Sequence, residues 1–157
     1  MTITEGQPAP LFSLSDDRGN QVSMADLKGR WIVLYFYPRD NTPSCTKEAC
    51  TFRDLWGDIE ATGAVVLGVS PDSSESHEQF IREFSLPFSL LADPDHEVIE
   101  KYGAWGQRRK WYGRKVTGVI RSTVLIDPNG VIHKHWPRVD NAEEHPADVL
   151  KVLQQPH

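Results

Sequence analysis

The sequence is poor in cysteine, because only two of its 157 residues, Cys45 and Cys50, are of this type. So small a number excludes a disulfide-stapled scaffold and a cysteine-rich structural zinc site. A long apolar run is also missing: the longest, Trp31 to Tyr37, covers seven residues, whereas a membrane-spanning helix needs about 20. We therefore expect no membrane span, and the two thiols become the central question.

Targeting signals and an excess of positive charge are missing as well. No basic segment followed by an apolar stretch opens the chain, so we expect neither a secretory nor a transit signal. Seventeen Lys and Arg against 22 Asp and Glu give a formal net charge of −5, which argues against general attraction to nucleic acid or to an anionic membrane. Two thiols in such a chain favour the reducing cytoplasm, where a disulfide is usually transient and catalytic.

The overall composition is typical of a folded protein, with 39% hydrophobic and 25% charged residues. The length suits one compact domain. Because no repeat, low-complexity tract or Pro/Gly/Ser linker divides the sequence, we expect one domain over residues 1–157.

The first half of the chain has the pattern of alternating strands and helices. Trp31 to Tyr37 is apolar throughout, which predicts a strand covered on both faces. Apolar residues then recur every three or four positions and predict a helix that ends near Gly63, with Thr42 as its cap and Pro43 at its first position. A second strand at 64–69 follows, and two strands separated by a helix predict a parallel crossover.

Turn residues and caps place the remaining elements. Asp72 and Glu75 have capping-box spacing before another amphipathic helix. Gly19-Asn20 predicts an N-terminal β-hairpin, and residues 128–130 predict a second hairpin between strands at 122–127 and 131–136. The sum is an α/β fold, with a mixed central sheet flanked by helices, that is compatible with a thioredoxin-like plan.

Cys45 lies in the first turn of the predicted helix, directly after a predicted strand. The unpaired N–H groups and the dipole of a helix start favour a thiolate, so the position suits a reactive cysteine. Residue type alone favours the alternative, a small buried hydrophobe. The neighbours favour reactivity, because Pro38, Thr42 and Pro43 predict a constrained loop that fixes the direction of Cys45.

Cys50 has two interpretations, a core residue of the helix or the thiol that resolves an oxidised Cys45. Five residues of ideal helix separate two Cα atoms by about 8.6 Å, whereas a disulfide needs less than about 7 Å. If the two cysteines pair, the first turns of the helix must unwind.

The segment from Pro38 to Cys50 resembles a known family. Pro38, Thr42 and Cys45 have the spacing P-x-x-x-T-x-x-C, which is similar to the signature of the peroxiredoxins, in the subgroup of bacterioferritin comigratory protein and peroxiredoxin Q. Residues 6–12 resemble the opening of that family and residues 118–127 its late arginine-bearing strand, so the resemblance covers nearly the whole chain.

The resemblance implies a role for each matching residue. Cys45 is the thiolate that attacks a peroxide oxygen and becomes sulfenic acid. Thr42 hydrogen-bonds the thiolate and the peroxide, Pro38 shields the pocket, and Arg121 stabilises the thiolate and the charge on the leaving oxygen. Cys50 matches the resolving position. By residue type alone, Arg121 is more typical of a solvated edge charge or a salt-bridge partner.

The implied activity is a thiol-dependent peroxidase for hydrogen peroxide and alkyl hydroperoxides, without metal or other cofactor. Its product is an intramolecular Cys45–Cys50 disulfide that thioredoxin or a similar dithiol reduces, and the resemblance suggests a monomer. Ser44 departs from the glycine that many relatives carry, but it removes no catalytic group. The alternative from another class is a redox-responsive binding protein, switched when Cys45 and Cys50 oxidise and a helix unwinds.

Two further patterns have both a functional and a structural interpretation. A stretch without acidic residues carries basic and aromatic side chains together, which suits single-stranded nucleic acid or, more simply, a solvated loop whose aromatics cover the core. Its members are Trp105, Arg108, Arg109, Lys110, Trp111, Tyr112, Arg114 and Lys115. His133 and His135 share one face of a predicted strand, yet two histidines without a third ligand favour surface residues over a metal site.

Overall fold

A computed structural model describes residues 3–109, 113 and 115–157. The strands are β1 (Ser13–Asp16), β2 (Gln21–Ser23), β3 (Ile32–Phe36), β4 (Val65–Ser70), β5 (Ser89–Ala92), β6 (Trp105–Arg109), β7 (Lys115–Val119), β8 (Ser122–Ile126) and β9 (Ile132–Trp136). The helices are α1 (Pro43–Asp54), α2 (Trp56–Ala61), α3 (Ser74–Phe84), α4 (Glu97–Lys101) and α5 (His145–Leu153), with a short 3-10 helix at Met24–Leu27.

Seven of these strands form one mixed sheet in the order β2-β1-β5-β4-β3-β8-β9. β3 and β4 run parallel, as the predicted crossover requires, and β5 continues this parallel group. Both outer pairs, β1–β2 and β8–β9, are antiparallel hairpins. The predicted mixed sheet with an N-terminal hairpin is therefore confirmed, and its two edges are both closed by hairpins.

β3 lies at the centre of the sheet and every one of its residues is buried. Successive side chains of a strand face opposite sides, and those of β3 enter two separate cores: Leu34 and Phe36 pack on one side of the sheet, Tyr35 and the following Tyr37 on the other. Burial of each large apolar side chain contributes about 1.5–3 kcal/mol. Cys45 belongs to the second core, so the sheet and α1 together fix its position.

The predicted helix that ends near Gly63 is wrong in one respect, because two helices occupy its place. α1 ends at Asp54 and α2 begins at Trp56. Leu55 between them has φ −94° and ψ 5°, which departs from helical geometry. Leu55 and Trp56 both pack against the core, and Gly57 directly afterwards is a poor helix former. At this break between α1 and α2, the neighbouring side chains of Leu55 and Trp56 both contact the core.

Two other expectations need correction. The cap of α3 is Ser73, whose hydroxyl accepts a hydrogen bond from Ser76 N, while the side chain of Asp72 bonds elsewhere. The basic aromatic stretch is not simply a loop, because β6 and β7 within it pair as an antiparallel hairpin. Residues 110–112 and 114 of that stretch lie outside the described residues. Among the described helices, none is long and apolar enough to cross a membrane.

Candidate active site

Cys45 lies in the first turn of α1, as predicted. Pro43 opens the helix, and the thiol of Cys45 is free and only 2% exposed. A proline is tolerated at a helix start because its missing N–H has no intrahelical partner there. The thiol therefore lies where helix N–H groups favour negative charge on sulfur.

Arg121 contacts this thiol directly. Its Nη2 donates to Cys45 Sγ at 3.2 Å. The two residues are 76 positions apart, and the sheet brings them together, because Phe36 at the end of β3 pairs with Ser122 at the start of β8. The segment that follows β3 and the residue that precedes β8 thus meet at the same end of these two paired strands. The interpretation of Arg121 as a solvated edge charge is wrong.

Glu48 is a member of the site that the sequence analysis missed. It lies one helical turn after Cys45, is fully buried, and accepts a 2.5 Å hydrogen bond from Arg121 Nη1 through Oε1. Burial raises the pKa of Glu48 to about 7, although Arg121 opposes this shift. Its Oε2 has no hydrogen-bond partner among the described residues. The signal was available, since Cys45, Glu48, Ala49 and Phe52 form the buried stripe of α1, and a carboxylate in such a stripe needs a partner.

The environment keeps Arg121 charged. Burial on its own would lower the pKa of Arg121, but the carboxylate of Glu48 and the sulfur of Cys45 raise it overall. A guanidinium offers several donors in a fixed plane, so one side chain can hold both acceptors at once. The site is therefore a buried cation bound between a carboxylate and a thiol.

Thr42 and Pro38 lie in the loop between β3 and α1, directly before the helix that carries Cys45. Thr42 precedes α1 in an extended conformation, but its hydroxyl does not cap the helix and instead donates to Arg39 O at 3.1 Å. The predicted capping hydrogen bond is wrong, because the hydroxyl closes the loop onto the residue three positions earlier. Pro38 is partly buried and lies beside Arg121 at the rim of a pocket.

This pocket is lined in part by Arg121 and has a volume of about 320 Å³. Apolar and charged side chains share its wall: Pro38, Val119, Ile120, Arg121, Arg138, Val139 and Asp140. Val139 N donates to Arg121 O at 2.8 Å, which fixes the backbone of Arg121 against the chain after β9. Arg121 therefore both lines the pocket and binds Cys45.

Cys50 lies farther along α1, half-buried and free. Burial is the main cause that raises the pKa of its thiol, with Arg53 opposing and Asp54 adding to the shift. The helix is continuous from Pro43 to Asp54, so Cys45 and Cys50 occupy one unbroken stretch of helix, as the sequence analysis expected.

One cluster of side chains of metal-ligating types includes a residue of the loop before α1. Within the described part of the chain, the one group of three side chains suited to a metal ion is Asp40, Asp72 and His77, and their polar atoms already bond to protein groups. His133 packs against Trp31 and His157 and joins no such group.

Trp105 is the aromatic residue of the basic aromatic stretch that lies within the described residues. Trp105, the first residue of β6, is half-buried, packs against the core, and stacks on His96 with ring centroids 3.9 Å apart. This contact agrees with the interpretation that aromatics of the stretch cover the core. Lys110, Trp111, Tyr112 and Arg114 lie outside the described residues.

A buried thiol at a helix start, held by an arginine on an α/β sheet, is the arrangement of a reactive cysteine and suits the class of thiol-dependent peroxidases. The comparisons agree. Residues 5–135 match the model of the AhpC/TSA family. The chain is similar to Peroxiredoxin Bcp of Bacillus subtilis, at 45% identity over 153 residues that cover 98% of this chain and 96% of that protein.

Solved structures give the same result. Peroxiredoxin Q of Xanthomonas campestris matches with a TM-score of 0.83 and 36% identity, over 91% of this chain and 89% of that chain. The bacterioferritin comigratory protein of the same organism, described with alkyl peroxide reduction activity, matches with a TM-score of 0.83 and 35% identity, over 91% of this chain and 90% of that chain.

The chain therefore belongs to the AhpC/TSA family, as a peroxiredoxin of the Bcp and peroxiredoxin Q kind. The predicted thioredoxin-like fold is confirmed, since these structural neighbours have it. The predicted enzyme class is confirmed too, because its relatives are peroxiredoxins, which are peroxidases.

Proposed function

We propose that the enzyme reduces hydrogen peroxide and alkyl hydroperoxides through Cys45. The thiolate sulfur attacks the terminal peroxide oxygen, an S–O bond forms, and the O–O bond breaks. Sulfur is oxidised to sulfenic acid and the peroxide is reduced, while the second oxygen leaves as water or an alcohol after it takes up a proton. The alkyl peroxide reduction activity attached to the Xanthomonas campestris relative supports the same substrate class here.

The single observation that supports this proposal best is the 3.2 Å hydrogen bond from Arg121 to Cys45 Sγ. A fixed cation beside sulfur favours the thiolate and stabilises negative charge that develops on the leaving oxygen. In the proposal, Thr42 turns its hydroxyl from Arg39 O toward the bound peroxide, and Pro38 shields the thiol from water at the pocket rim.

Cys50 completes the proposed cycle as the resolving thiol. Its sulfur attacks the sulfenic sulfur of Cys45, a disulfide forms, and the sulfenic oxygen leaves as water. A dithiol such as thioredoxin then reduces the disulfide and is itself oxidised. Because α1 is continuous between the two cysteines, this step requires local unwinding of the helix.

The proposal also covers the domain organisation, oligomeric state, location and partners of the enzyme. We propose that residues 1–157 act as one domain and as a monomer in the cytoplasm, with peroxide and a dithiol as its partners. The proposal includes no metal or organic cofactor and no nucleic-acid or membrane partner. The formal net charge of −5 supports the last point.

Stopped-flow mixing of the reduced enzyme with each peroxide tests the proposed activity. Loss of free thiol is followed against time, with thioredoxin and its reductase supplied in a parallel series. We expect rapid loss in the wild type and none in Cys45→Ser. Thiol loss as slow as that of an ordinary surface cysteine would refute the peroxidase.

A second candidate function rests on the same continuous helix. If oxidation unwinds α1, the surface around Cys50 changes, as a redox-responsive binding protein requires. The two functions differ in turnover: a peroxidase consumes many equivalents of peroxide when a dithiol is present, whereas a switch consumes one equivalent for each change of state.

A further inference from the structure

A second buried polar cluster connects α3 to the loop that precedes α1. His77 of α3 is fully buried. Its Nδ1 lies 2.7 Å from Asp40 Oδ2, and its Nε2 lies 2.9 Å from Leu91 O of β5. Asp40 belongs to residues 38–42, the loop that carries Pro38 and Thr42.

The protons of this cluster follow from its partners. A backbone carbonyl only accepts, so His77 must carry a proton on Nε2 to bond to Leu91 O. The other ring nitrogen faces a carboxylate, which also only accepts when it is ionised. The pair of His77 and Asp40 therefore shares one further proton, on Nδ1 or on the carboxyl group.

Two hydroxyl groups also bind Asp40. Asp40 Oδ1 accepts from the hydroxyl of Tyr37 at 2.5 Å, and Oδ2 accepts from the hydroxyl of Ser76 at 2.7 Å as well as facing His77. Burial and the charge of Asp40 raise the pKa of Tyr37, so its hydroxyl keeps its proton and remains a donor. The carboxyl group of Asp40 is therefore held by three side chains at once, of which His77 is the one that also bonds to β5.

The cluster fixes the backbone of the loop as well as its side chain. Asp40 N donates to Asp72 Oδ2 at 2.7 Å, and the hydroxyl of Ser70 at the end of β4 donates to the same oxygen at 2.7 Å. Asn41 next in the chain has φ +60°, a left-handed conformation that asparagine adopts more readily than most residues. The contacts of Asp40 with α3 and with the end of β4 therefore fix this turn of the loop in place.

We propose that His77 is a positioning residue for the peroxide step. Its ring holds Asp40, and Asp40 holds the Pro38–Thr42 loop so that Cys45 meets Arg121 in reactive geometry. This role rests on the proposed function. Displacement of reacting groups by about 1 Å can lower a rate by about a hundredfold, so a loosened loop slows oxidation of Cys45 without removing any group that touches peroxide.

Two isosteric variants separate positioning from simple stability. The amide nitrogen of Asn lies near the place of Nδ1, and that of Gln near the place of Nε2. His77→Asn thus retains a donor to Asp40, while His77→Gln retains only the donor to Leu91 O. We expect His77→Gln to lower the second-order rate constant of Cys45 oxidation by at least about tenfold, and His77→Asn to stay within about threefold of the wild type.

Ile81→Val is the matched control, because Ile81 belongs to α3 and packs against the core, and it is not part of the cluster around Asp40. It should destabilise the protein by about 1 kcal/mol, and we expect its oxidation rate to equal that of the wild type. Reduction of the preformed disulfide by dithiothreitol is the second readout, which we expect to be unchanged in all three variants. Equal rates in His77→Gln and the wild type would overturn the positioning role.

Failure of the proposed function is distinguishable, since the wild type itself would then fail to react rapidly with peroxide. A rapid wild type with equally rapid variants would refute only the role of His77.

Discussion

Arg121 donates to Cys45 Sγ at 3.2 Å and, through its other terminal nitrogen, to the buried carboxylate of Glu48. One guanidinium thus connects the thiol to a charged group that solvent does not reach. The carboxylate orients the cation, and the cation is then available to sulfur and to the pocket. The reactivity of Cys45 is therefore coupled to the buried charges of Arg121 and Glu48, and replacing each of these two residues should have a different effect.

Replacement of Arg121 by Ala should slow the reaction of Cys45 with hydrogen peroxide by about 100-fold to 1000-fold, because a preorganised donor to the reacting atoms is lost. Arg121→Lys should recover only part of this rate, since lysine keeps the charge but not the two-pronged geometry. Stopped-flow oxidation under single-turnover conditions measures both variants.

The control for Arg121→Ala addresses stability, because the change leaves Glu48 buried without its partner. Removing one member of a buried ion pair costs about 3–5 kcal/mol. The double variant Arg121→Ala with Glu48→Gln should regain stability but not the oxidation rate. Recovery of the rate in this double variant would show that Arg121 acts only through folding.

Glu48 should make stability fall as pH rises through neutrality. Its pKa is about 7 in the fold against an ordinary 4.5, so the folded chain holds a proton that the unfolded chain has released. The stabilisation is fully present below pH 4.5 and is lost as pH rises through 7. Between pH 5 and 8, urea unfolding should show that the wild type loses up to about 3 kcal/mol relative to Glu48→Gln.

Glu60→Gln makes the same chemical change at an exposed position. It should reproduce the pH dependence of the wild type. If Glu48→Gln and Glu60→Gln behave alike, Glu48 is ionised in the fold at every pH and its burial carries no such cost.

His145 should have the opposite effect at acid pH. Burial lowers its pKa from 6.5 to about 4, and it pairs with the hydroxyl of Thr123 at 2.7 Å. Below pH 6.5, His145 is protonated in the unfolded chain but stays neutral in the folded chain. The free energy of unfolding therefore falls by up to about 3 kcal/mol as pH drops to 4. His145→Gln should flatten this part of the unfolding curve, while His133→Gln at an exposed position should not.

Oxidation should remove protection from the first turns of α1. Amide hydrogen exchange over residues 43–52, in reduced and in peroxide-treated enzyme, measures this directly. Because a disulfide cannot span five residues of intact helix, exchange should accelerate in the oxidised form. Equal protection in the two forms would rule out an intrahelical Cys45–Cys50 disulfide.

The sequence predicts the position of Cys45 well, because the signals are local. Thr42 and Pro43 mark a helix start whatever lies elsewhere, and the apolar run before them marks a central strand. Arg121 carries no such local signal, and only the resemblance to the family pointed to it. Its contact with Cys45 arises from the pairing of β3 with β8, which no short stretch of sequence encodes.

The parts that were missed depend on tertiary contacts. Asp40 and His77 meet across 37 positions, and each alone has the pattern of a solvated residue. Asp72 has the spacing of a helix cap, but the loop offers it a backbone N–H of Asp40, and Ser73 caps α3 in its place. β6 and β7 lacked the alternating apolar pattern that predicts strands, since their hairpin is rich in basic and polar residues.

The central claim is that peroxide oxygen is transferred to the sulfur of Cys45. The most direct measurement treats reduced Cys50→Ser with one equivalent of hydrogen peroxide in the presence of dimedone, then locates the adduct by peptide mass spectrometry. We predict one dimedone adduct per chain, on Cys45, and no adduct in a sample without peroxide. An unmodified Cys45 after the peroxide has been consumed would contradict the account.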